Sequence, residues 1–229
     1  MRLYEEIASH KLFSYDKYFA KDLLASCTYP WEILPQIAKF ITSFSLTLNK
    51  DEYTLCEGAD GKYNVWIANS VKVDSSAKIY GPTIIDHNTE IRPSAFIRGN
   101  AIIGKNCVIG NSTEIKNSVI LDNAQLPHYN YVGDSIIGNY SHLGAGAITS
   151  NLKSTKTTVY INQEICTNLR KVGAFVGDNV EVGCNSVLNP GTIIGKNSIV
   201  YPVSCLRGVF PDNSIIKTEI NIITRRKNI

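Results

Sequence analysis

Aliphatic residues recur at every sixth position through the middle of this chain, and a mostly small or β-branched residue follows each of them by four positions. The aliphatic series is Ile67, Val73, Ile79, Ile85, Ile91, Ile97, Ile103, Ile109, Ile115 and Leu121. The residues four positions later are Val71, Ala77, Thr83, Thr89, Ala95, Ala101, Cys107, Thr113, Val119 and Gln125. A period of six fits neither a helix nor a single strand. It predicts a chain wound into a prism, with one strand per hexad, three hexads per turn and the aliphatic side chains on the axis.

The repeat is interrupted and then resumes. Ile137 and Leu143 continue it, with Ser141 and Ala147 in the small position. It returns at Val176, Val182, Leu188, Ile194, Val200 and Leu206, with Val180, Ser186, Thr192, Ser198 and Ser204. An all-β parallel coil is therefore predicted over a generic β-sandwich, which would show alternation with turns every 8–12 residues or so. Glycine often follows the aliphatic residue, as at Gly104 and Gly110, and we expect positive φ angles there.

Two units and one insertion are expected along the chain. Residues 1–64 lack the hexad and show helical spacing followed by short strands. We predict that they form a small, mainly helical α/β cap on the open N-terminal end of the coil, which would otherwise expose strand edges and an apolar axis. Residues 65–229 form the β-helical unit, with 207–229 covering its C-terminal end. Residues 149–171 break the repeat, and so long a loop is usually functional or part of an interface.

Composition limits the partners and the location. The formal net charge of +3 is too small to indicate nucleic-acid binding, and the basic end at 225–227 is interpreted as a solvated tail. Six cysteines show no zinc-site spacing, and Cys107 takes a small interior position as a reduced thiol. The start of the chain lacks a signal-peptide pattern, and no apolar run is long enough for a membrane span. We expect a cytoplasmic protein.

The candidate chemistry lies in residues 127–151, just before the insertion. The hexad is interrupted at Pro127, where an aliphatic residue was due, and a broken repeat often marks a functional site. His128 has a side chain that can accept a proton from an attacking amine or hydroxyl near neutral pH. Tyr131 supplies a hydroxyl and Asn151 an amide. Taken alone, His128 is more typical of an ordinary surface histidine than of a catalytic base.

Four segments in order carry a family resemblance: IRPSAFIRGN, NSTEIKNSV, PHYNYVGDSIIG and LGAGAITSNLK. They resemble the hexapeptide-repeat acetyltransferase domain of the bifunctional glucosamine-1-phosphate acetyltransferase / N-acetylglucosamine-1-phosphate uridylyltransferase family, and equally its archaeal sugar-1-phosphate nucleotidylyltransferase relatives. The resemblance covers about residues 65–210. It implies a left-handed parallel β-helix, a homotrimer with active sites between subunits, and acetyl-CoA as donor. Nothing in residues 1–64 resembles a nucleotidyltransferase, so uridylyl transfer is not expected.

The resemblance also assigns roles to individual residues. His128 matches the general base, and Ala145, Gly146 and Cys184 lie at acetyl-CoA-binding positions. The residues matched to substrate binding are Arg92, Arg98, Lys116, Tyr131, His142 and Asn151. Arg92 lies 24 residues before Lys116 where 18 are expected, so either Arg92 or Arg98 takes the arginine role. His142 replaces an asparagine of the family, and the lysine expected six residues after Asn151 falls on Thr157.

The expected function is N-acetyl transfer to an amino-sugar phosphate or nucleotide-sugar. One alternative is a γ-type carbonic anhydrase, which needs three histidines per zinc ion. The four histidines are His10, His87, His128 and His142, and none of their spacings matches that family, so no metal is expected. The other alternative is a non-catalytic assembly subunit that kept the β-helix.

Overall fold

The structure, a computed structural model, describes residues 5–218. Within them, each turn of the coil contributes one short strand to each of three sheets. The result is a left-handed parallel β-helix of about eight turns, which confirms the predicted fold. All pairing between successive turns is parallel. Within the described residues, antiparallel pairing is confined to two hairpins and one isolated bridge.

The strands are named in chain order, and each sheet stacks them along the helix axis. The first sheet contains Tyr53–Glu57 (β1), Tyr63–Ala68 (β2), Thr83–Ile85 (β5), Ala101–Ile103 (β8), Ser118–Ile120 (β11), Ile136–Ile137 (β14), Ala174–Val176 (β19), Thr192–Ile194 (β22) and Val209–Phe210 (β25). The second contains Lys72–Val73 (β3), Glu90–Ile91 (β6), Val108–Asn111 (β9), Gln125–His128 (β12), His142–Leu143 (β15), Glu181–Val182 (β20), Ile199–Val200 (β23) and Ile215–Ile216 (β26). The third contains Lys78–Tyr80 (β4), Phe96–Arg98 (β7), Glu114–Lys116 (β10), Tyr131–Gly133 (β13), Ile148–Thr149 (β16), Val187–Leu188 (β21) and Cys205–Leu206 (β24).

Most of the predicted aliphatic residues fill the axis, but two do not. Val73 is 42% exposed because it lies on the first turn, where no earlier turn covers it. Leu121 belongs to the cluster outside the first sheet, and Ile120 takes its place on the axis. Ile120 pairs with Ile103, so this turn has 17 residues instead of 18.

The missing residue is at the corner between β10 and β11, where Asn117 alone forms the turn. The small interior positions therefore shift to Ser118 and Ala124, and the assignment of Val119 and Gln125 to them is wrong. By the same shift, Pro127 occupies no axial position. The repeat is broken at Asn117, ten residues before Pro127.

The expectation of positive φ at the glycines after the aliphatic residues is also wrong. Gly104 and Gly110 have no positive φ, whereas residues two positions further on, such as Asn106 and Ser112, are left-handed at 54° and 53°. Asparagine tolerates this region better than most residues. The glycines serve close packing instead, since a methyl group on Gly110 would overlap the backbone of Pro127 in the next turn.

The N-terminal region lies along the side of the β-helix. Its helices are Ser9–Leu12 (α1), Lys21–Ala25 (α2) and Ile37–Phe44 (α3), with 3-10 helices at Pro30–Gln36 and Ser45–Thr47. Their apolar residues share one buried cluster with outward-facing residues of the first sheet: Ile84, Ile102, Val119, Ile136, Phe175 and Ile193.

This layer runs from the C-terminal turns towards the N-terminal ones. The Ser14 amide donates to Asp178 at 2.8 Å, and the Tyr18 hydroxyl donates to the carbonyl of Ile120 at 3.1 Å. The described helices therefore pack along the side of the coil, whereas the prediction placed them over its N-terminal end, and β1 pairs with β2 at the edge of the first sheet. The reason is visible in doublets such as Ile102–Ile103, which place one apolar side chain inside and one outside.

The insertion and the last turns complete the fold. Within 149–171, Tyr160–Ile161 (β17) and Ile165–Cys166 (β18) form a hairpin whose Val159 and Ile161 are fully buried against the outer cluster. The coil continues through β25 and β26, past the point where it was expected to end, and the predicted basic tail at 225–227 lies outside the described residues. No helix in residues 5–218 has the length and apolarity needed to cross a bilayer.

Candidate active site

The predicted base and the predicted acetyl-CoA positions share one corner of the prism, between the second and third sheets. His128 pairs with Asn111 of the preceding turn, and its carbonyl accepts a hydrogen bond from Gly146 N–H at 3.0 Å. The carbonyl of Ala145 in turn accepts one from Asn185 N–H at 2.8 Å. His128, Ala145 and Cys184 thus follow one another at about 4.8 Å per turn. We call these three residues the His128 column.

Polar groups are free along this column. The imidazole of His128 is exposed and forms no hydrogen bond within residues 5–218. In the same part of the chain, the backbone N–H groups of Ala145 and Cys184 have no acceptor. Gly144 leaves the N–H of Cys184 accessible, because a methyl group on Gly144 would lie 2.7 Å from the Cys184 nitrogen. The column therefore offers a proton acceptor for an attacking amine and, next to it, backbone hydrogen-bond donors for a thioester carbonyl.

Asn130 fixes the backbone of this corner. Its side chain is 2% exposed, donates to the carbonyl of Gly144 at 2.8 Å and accepts from His128 N–H at 3.2 Å. One buried amide therefore ties the turn that carries His128 to the turn that carries Ala145.

A second group of predicted residues gathers on the third sheet around Asp134. Its carboxylate accepts hydrogen bonds from Lys116 Nζ at 3.1 and 3.2 Å, from Asn117 Nδ2 at 2.8 Å and from Asn151 Nδ2 at 2.5 Å. The Asp134 side chain is 5% exposed and that of Lys116 is 25% exposed. Lys116 and Asn151, both predicted to bind substrate, are thus held by one nearly buried anion.

Tyr131 joins this Asp134 group. A methyl group on Gly133 would lie 2.6 Å from its hydroxyl and 2.8 Å from the Asn151 amide nitrogen, so the glycine leaves room for both side chains. Burial raises the pKa of the Tyr131 phenol, and the carboxylates of Glu114 and Asp134 raise it further. Tyr131 is a neutral hydrogen-bonding group at physiological pH.

Both candidate arginines are paired with carboxylates. Arg98 lies beside Lys116 on the third sheet and binds Glu114 at 2.7 Å, which raises the pKa of its guanidinium. Arg92 lies at the His128 corner, two turns before His128, and binds Glu90 at 3.2 Å. The structure places Arg98 with the Asp134 group and Arg92 with the His128 column.

His142 belongs to neither group. It lies on the outer face of the second sheet between Gln125 and Glu181, and its Nδ1 is 2.9 Å from a carboxylate oxygen of Glu181. Residues 5–218 contain no group of three His, Cys, Asp or Glu side chains arranged to hold a metal ion.

Sequence reasoning missed the partners that fix these side chains, namely Glu90, Glu114, Asn130, Asp134 and Glu181. Asp134 lies 18 residues after Lys116, and Glu114 lies 16 after Arg98, so the repeat length did contain a signal for adjacent turns. The changed turn length after Asn117 hid the register needed to use it.

The fold and the six-residue repeat are those of a hexapeptide-repeat protein with a left-handed β-helix. Its sequence is similar to those of several known proteins. Residues 79–174 match the family described as the GMPPB C-terminal domain. A bifunctional protein GlmU of Methanococcus maripaludis is 37% identical over 112 residues, which cover 48% of this chain and 27% of that protein. A bifunctional sugar-1-phosphate nucleotidylyltransferase/acetyltransferase of Sulfurisphaera tokodaii is 32% identical over 159 residues, covering 60% and 40%. The resemblance predicted from the four segments is confirmed.

The chain spans between a quarter and two fifths of the length of these two relatives. Among solved structures, the acetyltransferase domain of PglB from Neisseria gonorrhoeae, in complex with acetyl coenzyme A, aligns with a TM-score of 0.36 and 14% identity, over 66% of this chain and 54% of that one.

Proposed function

We propose that this protein is an acetyl-CoA-dependent N-acetyltransferase that acts on an amino-sugar phosphate or nucleotide-sugar. The observation that carries the proposal is the His128 column, in which an exposed imidazole lies one turn from the N–H of Ala145 and two turns from that of Cys184, all three without a partner in the described residues. The sequence relatives named as acetyltransferases support it. A cytoplasmic location remains the accompanying prediction.

The chemistry follows from the groups in the column. Acetyl-CoA supplies the acetyl thioester, whose carbonyl would lie against the N–H groups of Ala145 and Cys184. His128 would remove the proton that the acceptor amine loses as it attacks that carbonyl. The two N–H groups would stabilise the negative charge that develops on the carbonyl oxygen. Neither step requires a metal ion.

The acceptor would be fixed by the Asp134 group. Tyr131 and Asn151 offer polar atoms on the third sheet, and Lys116 and Arg98 lie beside them. Within one chain this group lies across the third sheet from the column. A pocket shared between two copies in a homotrimer would bring such groups together, so the trimer is part of the proposal. Sedimentation that gave a monomer at micromolar concentration would contradict it.

The test is product formation by His128→Ala, measured by mass spectrometry of the acetylated amino sugar. We expect the rate to fall by about 10²–10⁴-fold, as for loss of a positioned acid–base group. A thiol-release assay is unsuitable, because Cys166, Cys184 and Cys205 are exposed free thiols. His10→Ala is the matched control, since His10 is an exposed histidine of α1. Equal activity of the two variants would contradict the role of His128.

One observation favours a second candidate, a non-catalytic assembly module. Lys116 and Asn151 are both engaged by Asp134, which lowers their capacity to bind a ligand. A module of this kind would form the trimer without binding acetyl-CoA. Isothermal titration of the full chain with acetyl-CoA separates the two candidates, because only the enzyme binds it and loses affinity on Cys184→Leu, which would fill the donor side of the column.

A further inference from the structure

The three lysine and arginine residues matched to substrate binding already have carboxylate partners in their own chain. Arg92 binds Glu90, Arg98 binds Glu114, and Lys116 binds Asp134. Each pair has no net charge, so these residues attract an anion only weakly. A phosphate-bearing ligand of this protein therefore needs a cationic site elsewhere.

A cleft between the insertion hairpin and the last turns meets this need. It has a volume of about 200 Å³ and is lined by Lys153, Tyr160, Asn162, Gly191, Arg207 and Gly208, among others. We call it the hairpin cleft. No carboxylate is among its lining residues, and the Arg207 guanidinium has no ion pair or hydrogen bond in the described part of the chain. Lys153 Nζ donates to the carbonyl of Thr158 at 2.6 Å and has no acidic partner there.

The walls of the hairpin cleft are held in place. Val159 and Ile161 are fully buried, and their side chains would lie 3.0 and 3.1 Å from a methyl group on Gly191. Only a residue without a side chain lets the hairpin pack so closely on the coil, and Gly191 is also left-handed at φ 82°. The Asn162 side chain accepts a hydrogen bond from Val209 N–H at 3.3 Å. Because packing fixes the walls, little ordering is needed on binding.

We propose that the hairpin cleft binds a phosphate group of a substrate, with Arg207 as the main ligand and Lys153 as the second cation. Guanidinium groups bind phosphate through two parallel hydrogen bonds, and an ammonium adds a point charge. The cleft is smaller than sites for whole drug-sized ligands, so it accommodates one charged group of a larger molecule. Under the proposed function, that group belongs to coenzyme A or to the acceptor sugar.

The first experiment uses inorganic phosphate as the probe and requires no catalysis. Titration of the full chain in phosphate-free buffer, followed by NMR, should give a saturable shift at Gly191 and Gly208. Arg207→Gln should weaken phosphate binding about tenfold or more. Arg170→Gln is the matched control, because Arg170 is an exposed arginine of the insertion that does not line the cleft. Unchanged phosphate affinity in Arg207→Gln would overturn the inference.

The second experiment identifies the source of the phosphate. Affinities are compared for coenzyme A against its 3′-dephospho form, and for the acceptor sugar with and without phosphate. If Arg207→Gln abolishes only the preference for coenzyme A over its 3′-dephospho form, the group is the 3′-phosphate of the donor. If it abolishes only the preference for the phosphorylated acceptor sugar, the group belongs to the acceptor. If wild type and Arg207→Gln discriminate alike in both comparisons, the cleft binds neither ligand and the inference is wrong. His128→Ala should bind phosphate normally, so failure of the proposed catalysis remains distinguishable.

Discussion

Asp134 and Lys116, one turn apart on the β-helix, form an ion pair at 3.1 Å in which the carboxylate is almost fully buried. The same carboxylate holds Asn117 and Asn151. Asp134 therefore organises the residues that the sequence resemblance links to substrate, and it also joins the start of the insertion to the coil.

Replacing Asp134 should destabilise the protein. Asp134→Ala leaves the partly buried ammonium of Lys116 uncompensated and two amides without an acceptor, and we expect the free energy of unfolding to fall by about 2–4 kcal/mol. Chemical denaturation followed by circular dichroism measures this. Asp60→Ala removes a carboxylate from an exposed pair with Lys62 and should give no measurable change. A loss no larger than that of Asp60→Ala would show that the Asp134 group is not structural.

The corner glycines should tolerate no side chain. Gly110→Ala places a methyl group against the Pro127 backbone, and the strain should lower the unfolding free energy by about 3 kcal/mol or more. Asn106→Gly, at φ 54°, should be close to neutral, since glycine adopts that angle freely. The reverse order of stability in thermal unfolding would restore the sequence-based view that the glycines supply positive φ.

The N-terminal layer should contribute strongly to stability through Trp31. This side chain is 3% exposed, and its ring centroid lies 6.3 Å from that of Phe175 on the first sheet. Trp31→Ala should cost about 3–5 kcal/mol, the range for a large buried aromatic residue. Leu46→Ala, at a site that is 83% exposed, should change the melting temperature little. Similar melting temperatures for both variants would mean that the layer is only loosely attached.

Stability should fall at alkaline pH because of Cys107. Burial raises the pKa of its thiol to about 12 from an ordinary value of 9.0. The unfolded chain loses this proton first, so the contribution is complete below about pH 9 and is lost as pH rises towards 12 at about 1.4 kcal/mol per pH unit.

Denaturation at pH 8 and pH 10 tests this, with Cys107→Thr as the comparison. Threonine occupies the matching position in the preceding turn at Thr89. The variant should lose less stability than the wild type between the two pH values. Equal losses would mean that other groups cause the alkaline effect.

The sequence by itself determined the β-helix, since a six-residue period is incompatible with other regular structures. The period can be seen in any short stretch of the repeat, because each hexad carries its own axial aliphatic residue. It also pointed to His128, Ala145 and Cys184 as candidate site residues, because the motif that contains or precedes them can be read from the order of residues alone. Only the tertiary structure decided that Leu121 leaves the axis, since one residue omitted at Asn117 changes the phase of all later positions. The N-terminal helices pack on the outer face of the first sheet. The apolar residues of that face occur once per turn, so they form a continuous apolar surface only when the turns stack. The ion pairs also depend on the tertiary structure. Arg98 and Lys116 bind Glu114 and Asp134 of the following turn, so the pairing depends on the length of each turn.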